Sequence, residues 1–494
     1  MDRRFTLLLL VLVVLGTRLV FAGQHMELYG DESYYHIRQV DHIRDTGMPL
    51  REDPLSFGGR INVLSPAFDY LLAAFTYILP VQVAFKLVPN LFGVLFVVIS
   101  YFIAWRITRN SHVSFLTAAL SGFLPIYFAK TFNHVTVYGI VVPLMALLIY
   151  FYMDIEKHVA GYVITLILLS LLHASILVFI CGLLVYALIV NVEGMKLTEK
   201  EKEIILFSVV FALWSQFVLY KNVFLVHSTL SIWQNLPEAL LSNYFEDFSI
   251  LEAIYKIDAV PFLFGLYAMR QYLFKVGDKK IHFLIGMALA IALLLWLKLV
   301  PLVFGLMLFG MIMTLLFAKS YHYRVNLVRK SRLRKHLKAW QGFFLVFFLI
   351  TAVGASLHLA VNEVQASTID DEHEALEWLE NNSEEKDIVM SSEVDSQKIM
   401  ALSNRATVLD SNFLLVPGSD VIYDDMKVAL TSPHITQVGE RLDKHDVNFV
   451  YVSRESRELL GISKLPSVDD KCLPLVYQTS VQIYEWKCKL EVLG

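Results

Sequence analysis

The sequence predicts a polytopic α-helical membrane protein with a small C-terminal α/β domain on the outer side, and three observations carry that reading. First, 56% of the 494 residues are hydrophobic and 18% charged, where soluble chains carry roughly 25% charge, so water is not the only solvent. Second, apolar runs recur that are long enough to cross a hydrocarbon core of about 30 Å, which takes about 20 helical residues. Third, charge is segregated: residues 361–494 hold 25 acidic against 12 basic side chains, a net of −13, leaving +9 for residues 1–360 within the overall −4. The expected domains are therefore a transmembrane domain over 1–360 and an extracytoplasmic domain over 361–494. This pattern excludes a soluble single-domain enzyme, a coiled coil and a disordered chain. It also argues against nucleic acid as a partner, because the positive charge sits in short loops between apolar runs.

Eleven runs qualify as spans: 5–22, 83–105, 113–129, 135–153, 158–173, 174–191, 203–222, 258–274, 281–297, 299–318 and 339–360. Phe5 to Ala22 follows Met-Asp-Arg-Arg, the flank of a signal peptide, but lacks a convincing small-x-small cleavage site and reads as the first membrane helix. Residues 158–191 form one apolar stretch of 34 residues, too long for one helix and expected to break near His173. Orientation follows Lys and Arg in short loops. Arg3 and Arg4, Arg106 and Arg109, Lys275, Lys279 and Lys280, and the segment 319–338 with eight basic and no acidic residues all belong in the cytoplasm. Alternate threading puts 23–82, 130–134, 223–257 and the acidic tail outside, for a multi-pass cell-membrane protein with a cytoplasmic N-terminus. The parity holds only if 66–80 does not span. That stretch is short and carries Asp69, and it reads as an interfacial or re-entrant helix. The 319–338 segment could attract anionic membrane lipids, although a topology anchor is the simpler reading.

The tail opens with a helical pattern at Glu374–Glu380, followed by strand-like runs at Asp387–Met390, Ala406–Leu409, Asn448–Val452 and Val481–Trp486. Three cysteines build no disulfide framework, and no Cys/His cluster suggests zinc. Cys181 reads as a small core residue. Cys472 and Cys488 could pair on an oxidising side or remain separate thiols.

Candidate chemistry concentrates in the first outer loop, where Asp31 and Glu32 precede Tyr34 and Tyr35. Adjacent carboxylates could bind a divalent cation, or one could serve as a general base for an acceptor; an ordinary solvated acidic loop is the alternative. Glu252 is a second candidate ligand or polar clamp. Lys298 interrupts an apolar stretch between two spans, where an ionisable group is expensive and usually faces a partner; it could hold a lipid phosphate or snorkel to the interface. His134 and His173 read as satisfied polar residues rather than ligands. No dinucleotide, P-loop or hydrolase motif is present.

Four places resemble the GT-C class of membrane glycosyltransferases, and within it the catalytic subunit of oligosaccharyltransferase. They are Glu32-Ser33-Tyr34-Tyr35-His36-Ile37-Arg38, Ser249-Ile250-Leu251-Glu252, Lys298 with Pro301, and Ala375–Leu379 through Asn404–Asn412. The resemblance implies a GT-C type fold of about 11 to 13 transmembrane helices. It implies Asp31 or Glu32 as catalytic carboxylate, and Lys298 and Arg38 as contacts of the donor phosphate. Asp31, Glu32 and Glu252 would be ligands of Mn2+ or Mg2+, unless the enzyme works without metal. The partners it implies are a lipid-linked sugar donor, on polyprenyl phosphate or diphosphate, and a glycan or protein acceptor.

Two departures qualify the likeness. The second outer loop, Lys130–Tyr138, contains no carboxylate where that family has paired acids. The family's Trp-Trp-Asp-Tyr-Gly signature falls on Ser392-Glu393-Val394-Asp395-Ser396 and keeps none of its residues. The expected activity is therefore sugar transfer to a glycan hydroxyl on the outer face. The alternatives are a divergent oligosaccharyltransferase that glycosylates protein, and a non-catalytic relative acting as a lipid-binding or assembly subunit.

Overall fold

The computed structural model describes residues 3–227, 249–274, 277–367, 369–412 and 416–488. It divides into two compact units, one made of residues 1–24, 79–219 and 242–365, the other of 25–78, 220–241 and 366–494. The first outer loop therefore folds with the tail, and the sequence boundary at 360 falls a few residues before the second unit resumes. Part of the expected outer segment 223–257 lies outside the described residues.

The first unit is helical. Seven helices among the described residues are long and apolar enough to cross a membrane, so the protein is a polytopic membrane protein. Of the eleven expected spans, four fall short by length. Tyr138–Tyr152, Ala259–Phe274 and Ile176–Val192 have 15, 16 and 17 residues. The run 113–129 is broken into Ser111–Gly122 and Pro125–Ala129, because Pro125 supplies no N–H and starts a new helix. The break at His173 is found: that residue is extended between Ile155–Leu172 and Ile176–Val192. The expected loop at 319–338 is corrected. The helix Leu302–Lys330 runs on through its first twelve residues, since Lys and Arg are good helix formers and no Gly or Pro intervenes.

In the second unit the mixed sheet takes the order β4-β3-β5-β7-β6, with β3 Ile388–Met390, β4 Ala406–Thr407, β5 Val447–Val452, β6 Leu475–Gln478 and β7 Gln482–Glu485. The β4, β3 and β5 strands run parallel, while β7 returns antiparallel to β5 and β6. Ala375, Leu376 and Leu379 of the helix Ile369–Asn382 pack on Val389, Ile399, Phe449, Tyr451 and Ile483 to form the core. The first loop joins the outer edge of this sheet: Thr407 N–H donates to the Leu55 carbonyl at 2.7 Å, and Phe57 N–H to the Thr407 carbonyl at 3.2 Å. A short β1–β2 hairpin, Glu52–Asp53 with Arg60–Ile61, holds that segment. An exposed sheet edge is thereby covered by the chain itself.

Cys472 and Cys488 form a disulfide. Closing a loop of this length restricts the unfolded chain, so the Cys472→Ser, Cys488→Ser double variant should lose about 3 kcal/mol from the tail fold. Chemical denaturation of the wild type with and without reductant measures it.

Candidate functional site

The helix Asp31–Thr46 opens directly after Gly30, whose φ of 76° lets the chain turn sharply into it. Asp31 does not face open solvent. Its Oδ1 accepts from the backbone N–H of Gln397 at 2.8 Å and of Lys398 at 3.1 Å, and its Oδ2 accepts from the Ser411 hydroxyl at 3.1 Å. Burial pushes this carboxyl up to about 8, against the opposing pull of Lys398 and its backbone donor. Beside it, Asp410 is fully buried and takes Arg60, the Ser56 hydroxyl and the Gln397 amide within 2.7 to 2.8 Å. The segment 404–412, one of the four places of resemblance, is thus the surface that receives the first loop.

Glu32, the neighbouring carboxylate, is the open one, with 43% of its side chain exposed. Its Oε1 lies 3.7 Å from His36 Nε2, while His36 Nδ1 meets Asp69 Oδ1 at 2.6 Å. The order Glu32, His36, Asp69 therefore runs from surface to interior. Burial favours the neutral imidazole, but Asp69 and then Glu32 outweigh it and lift His36 to about 9. The ring packs edge-on against Phe68, and Tyr35 next to it receives a hydrogen bond from Asn62 at 2.7 Å.

Arg38 has a different partner from the one expected. Both outer nitrogens of its guanidinium bond the buried Asp53 carboxylate, at 2.7 and 2.9 Å. A desolvated cation requires a counter-ion of its own, so this arrangement makes Arg38 a strut rather than an open phosphate contact.

Glu252 and Lys298 belong to the first unit. Ser249 caps the helix Ile250–Ile257 by accepting the Glu252 N–H, and the Glu252 carboxylate pairs with Lys256 at 2.7 Å. The sequence Ser-Ile-Leu-Glu thus serves a local helix start. Lys298 is exposed and closes the helix Lys279–Trp296 in a Schellman turn, with Lys298 N–H on the Leu295 carbonyl and Leu299 N–H on the Leu294 carbonyl. Its φ of 55° is left-handed, a conformation that glycine adopts freely and other residues at a cost of about 1 kcal/mol.

The expected metal set does not fit as arranged. Asp31 already accepts three hydrogen bonds, Glu252 is paired with Lys256, and no three His, Cys, Asp or Glu side chains gather at a metal-holding distance among the described residues.

Sequence reasoning missed three features. Asp69 drew attention only as an obstacle to a span. Glu363, at the end of the helix Leu337–Ala366, receives Lys130 at 2.7 and 2.9 Å and meets His134 at 3.1 Å, bringing a carboxylate to the second loop that has none of its own. Arg18, inside the first span, is fully buried and donates to Asn90 and Thr131 at 2.8 and 2.6 Å. An arginine within an apolar run was the available signal.

No family model matches the chain, and no curated protein matches it by sequence. Solved structures do match, and they define the class: the chain has the fold of the GT-C membrane glycosyltransferases. The oligosaccharyltransferase AglB from Archaeoglobus fulgidus, solved with an inhibitory peptide and a dolichol-phosphate, is 14% identical; the match covers 91% of this chain and 70% of AglB at a TM-score of 0.65. ArnT from Cupriavidus metallidurans, bound to undecaprenyl phosphate, is 13% identical over 97% of both chains, with a TM-score of 0.59. The mycobacterial arabinofuranosyltransferase AftD is 13% identical over 98% of this chain and 42% of its own, with a TM-score of 0.51.

The two first-loop carboxylates should separate in experiment. Asp31→Asn turns an acceptor into a group that cannot satisfy all three donors and should cost about 2 kcal/mol, whereas Glu32→Gln at the surface should change stability by less than about 0.5 kcal/mol. The two melting midpoints, compared in one detergent, give the difference.

His36 is held above its unfolded value near 6.5, so its stabilising contribution is complete below about pH 6.5 and is lost as pH rises through about 9. His36→Gln should remove that part of the alkaline fall in stability, read as the difference between the two stability–pH curves.

Proposed function

We propose that this protein is a glycosyltransferase that moves a sugar from a polyprenyl-phosphate or polyprenyl-diphosphate donor to a hydroxyl acceptor on the outer face of the membrane. The observation that carries the reading is the end-to-end match to ArnT bound to undecaprenyl phosphate, over 97% of both chains. The basic loops and the acidic, disulfide-bonded tail support a cytoplasmic N-terminus and an outer tail.

In this reading Glu32 is the base. It takes the acceptor hydroxyl proton as the oxygen attacks the anomeric carbon, and the bond from that carbon to the phosphate oxygen breaks with its electron pair leaving on the phosphate. The pair His36 and Asp69 orients Glu32. Lys298 would neutralise the departing phosphate. Asp31 holds the loop in place through its three donors.

A hydroxyl acceptor is favoured over an asparagine amide by the segment 392–396. A site that selects a hydroxyl-bearing peptide needs an open polar group. Both acids in that segment, Glu393 and Asp395, are buried; Asp395 accepts from the Ser456 hydroxyl, and Ser392 bonds the same serine. The AglB match keeps a second reading, peptide glycosylation, in the test.

Purified protein should be given polyprenyl-linked sugar donors with glycan acceptors and, separately, a sequon peptide, with a proven oligosaccharyltransferase as control. Sugar transfer to glycan is expected, with Glu32→Gln slower by about two to four powers of ten. Sequon-dependent transfer to peptide would replace the acceptor assignment, and no transfer from any lipid-linked donor would leave the lipid-binding or assembly role.

Lys298→Gly gives a second test. It should raise stability by about 1 kcal/mol by relieving the left-handed residue while weakening donor use; a variant that is more stable and equally active would remove Lys298 from the site.

A further inference from the structure

A cavity of about 620 Å³ lies in the second unit, between the tip of the β6–β7 hairpin and the helix Arg454–Leu460. Its volume is that of a small-molecule site, but such sites are mostly apolar. This one is polar. Ile462 is the one apolar side chain among the described residues that line it. The cavity also reverses the charge around it: residues 361–494 carry a net of −13, yet its lining holds two arginines, Arg454 and Arg457, against the single acid Glu458.

The bonds that fix these side chains leave donors unused. The helix ends at Gly461, with a φ of 66°, in a Schellman turn; Gly461 N–H donates to the Glu458 carbonyl and Ile462 N–H to the Arg457 carbonyl. Two end carbonyls that would repel an anion are thereby taken. Half-buried Arg457 gives one outer nitrogen to the Ser480 carbonyl at 2.7 Å, and no carboxylate reaches it among the described residues. Arg38 and Arg60, in the same unit, each hold a buried aspartate instead. Arg454 spends only its Nε on Glu458, at 2.9 Å. The Gln482 amide oxygen accepts the Tyr484 hydroxyl at 2.9 Å, which orients the amide and leaves its NH2 without a bond among the described residues. Thr479 Oγ1 accepts the Val481 N–H at 3.3 Å and keeps its own proton to donate.

A lining with surplus donors and positive charge calls for a ligand with surplus acceptors and negative charge, and a guanidinium fits the paired oxygens of a carboxylate or phosphate. A bare anion would need the arginines alone. The amides of Gln478 and Gln482 and the Thr479 hydroxyl suit ring hydroxyls as well. The sheet separates this cavity from the first loop, which joins at β4: in the order β4-β3-β5-β7-β6, β7 stands three strand spacings away, roughly 14 Å.

We propose that this cavity binds an acidic sugar unit of an oligosaccharide, one bearing a carboxylate or a phosphate ester. Arg457 and the Gln482 amide take the anionic group, and Thr479 and Gln478 take ring hydroxyls. That the oligosaccharide is the acceptor rests on the function proposed above; the binding itself does not. As acceptor it is longer than one sugar, because the unit held here is separate from the one whose hydroxyl reacts.

Calorimetric titration of the full chain in detergent tests the binding, with trigalacturonate, the matching neutral galactose trisaccharide, mannose 6-phosphate and inorganic phosphate as probes. Trigalacturonate or mannose 6-phosphate should bind at least about tenfold more tightly than the neutral trisaccharide and inorganic phosphate; which of the two binds identifies the anionic group. Gln482→Glu still accepts from Tyr484 but adds a negative charge. It should keep the wild-type melting midpoint and weaken binding by about tenfold to a hundredfold, as should Arg457→Met. The proposal is overturned by equal affinity for the acidic and neutral sugars, by inorganic phosphate binding as well as the sugar phosphate, by no binding of either acidic sugar, or by unchanged affinity in both variants.

With a lipid-linked donor present, the effect of Gln482→Glu should appear in KM for an acidic glycan acceptor rather than in kcat. Weakened binding with an unmoved KM would overturn the acceptor assignment. Absence of transfer from the wild type itself would strike the proposed function and leave the binding result standing.

Discussion

The second unit depends on how one carboxylate is satisfied. Asp31 leaves water at the start of a helix, and a buried carboxylate without donors is too costly to persist. Gln397, Lys398 and Ser411 provide those donors from the far end of the sequence. Asp410 repeats the arrangement with Arg60, Ser56 and Gln397. With these two acids satisfied, the first loop can close the open edge of the tail sheet at Thr407, and Glu32 is left as the partly exposed carboxylate of the adjacent pair.

The same logic explains why the charged residues of the site divide their labour. Side chains that are deeply buried are consumed by partners: Arg38 by Asp53, and Lys398 by Glu372 at 2.8 Å. Glu32 is the one that keeps exposure, with 43% of its side chain open. Lys298 holds the left-handed position that ends its helix, a place where the chain turns and glycine is the commoner residue.

The likeness to AglB, ArnT and AftD lies in fold, at identities of 13 to 14%. The second loop of this chain is held by residues from outside it. The loop has no acid of its own, and Glu363 arrives from the helix Leu337–Ala366 to pair with Lys130 and His134. Arg18 and Asn90 fasten the same loop from two other helices, Arg18 at Thr131 and Asn90 at the Phe132 carbonyl. The local chemistry therefore rests on a carboxylate far away in sequence.

The sequence by itself determined what one-dimensional pattern can carry. Apolar runs established the membrane class, the break at His173, and the positions of most helices, because each such element is specified by its own residues and their solvent. The strands β3, β4, β5 and β7 and the helix before them followed from local alternation and composition. It also pointed to Asp31, Glu32 and Lys298 as residues out of place in their surroundings. Tertiary structure decided the rest. Lengths at Lys330 and the division at Pro125 required knowing where helices end, which basic residues do not mark. The disulfide was left open because two cysteines in a tail do not state their distance. Above all, the choice between Asp31 and Glu32, the capture of Arg38 by Asp53, and the line from Glu32 through His36 to Asp69 depend on contacts between residues up to several hundred positions apart. A carboxylate's role is set by how many donors reach it, and that number exists only once the chain has folded.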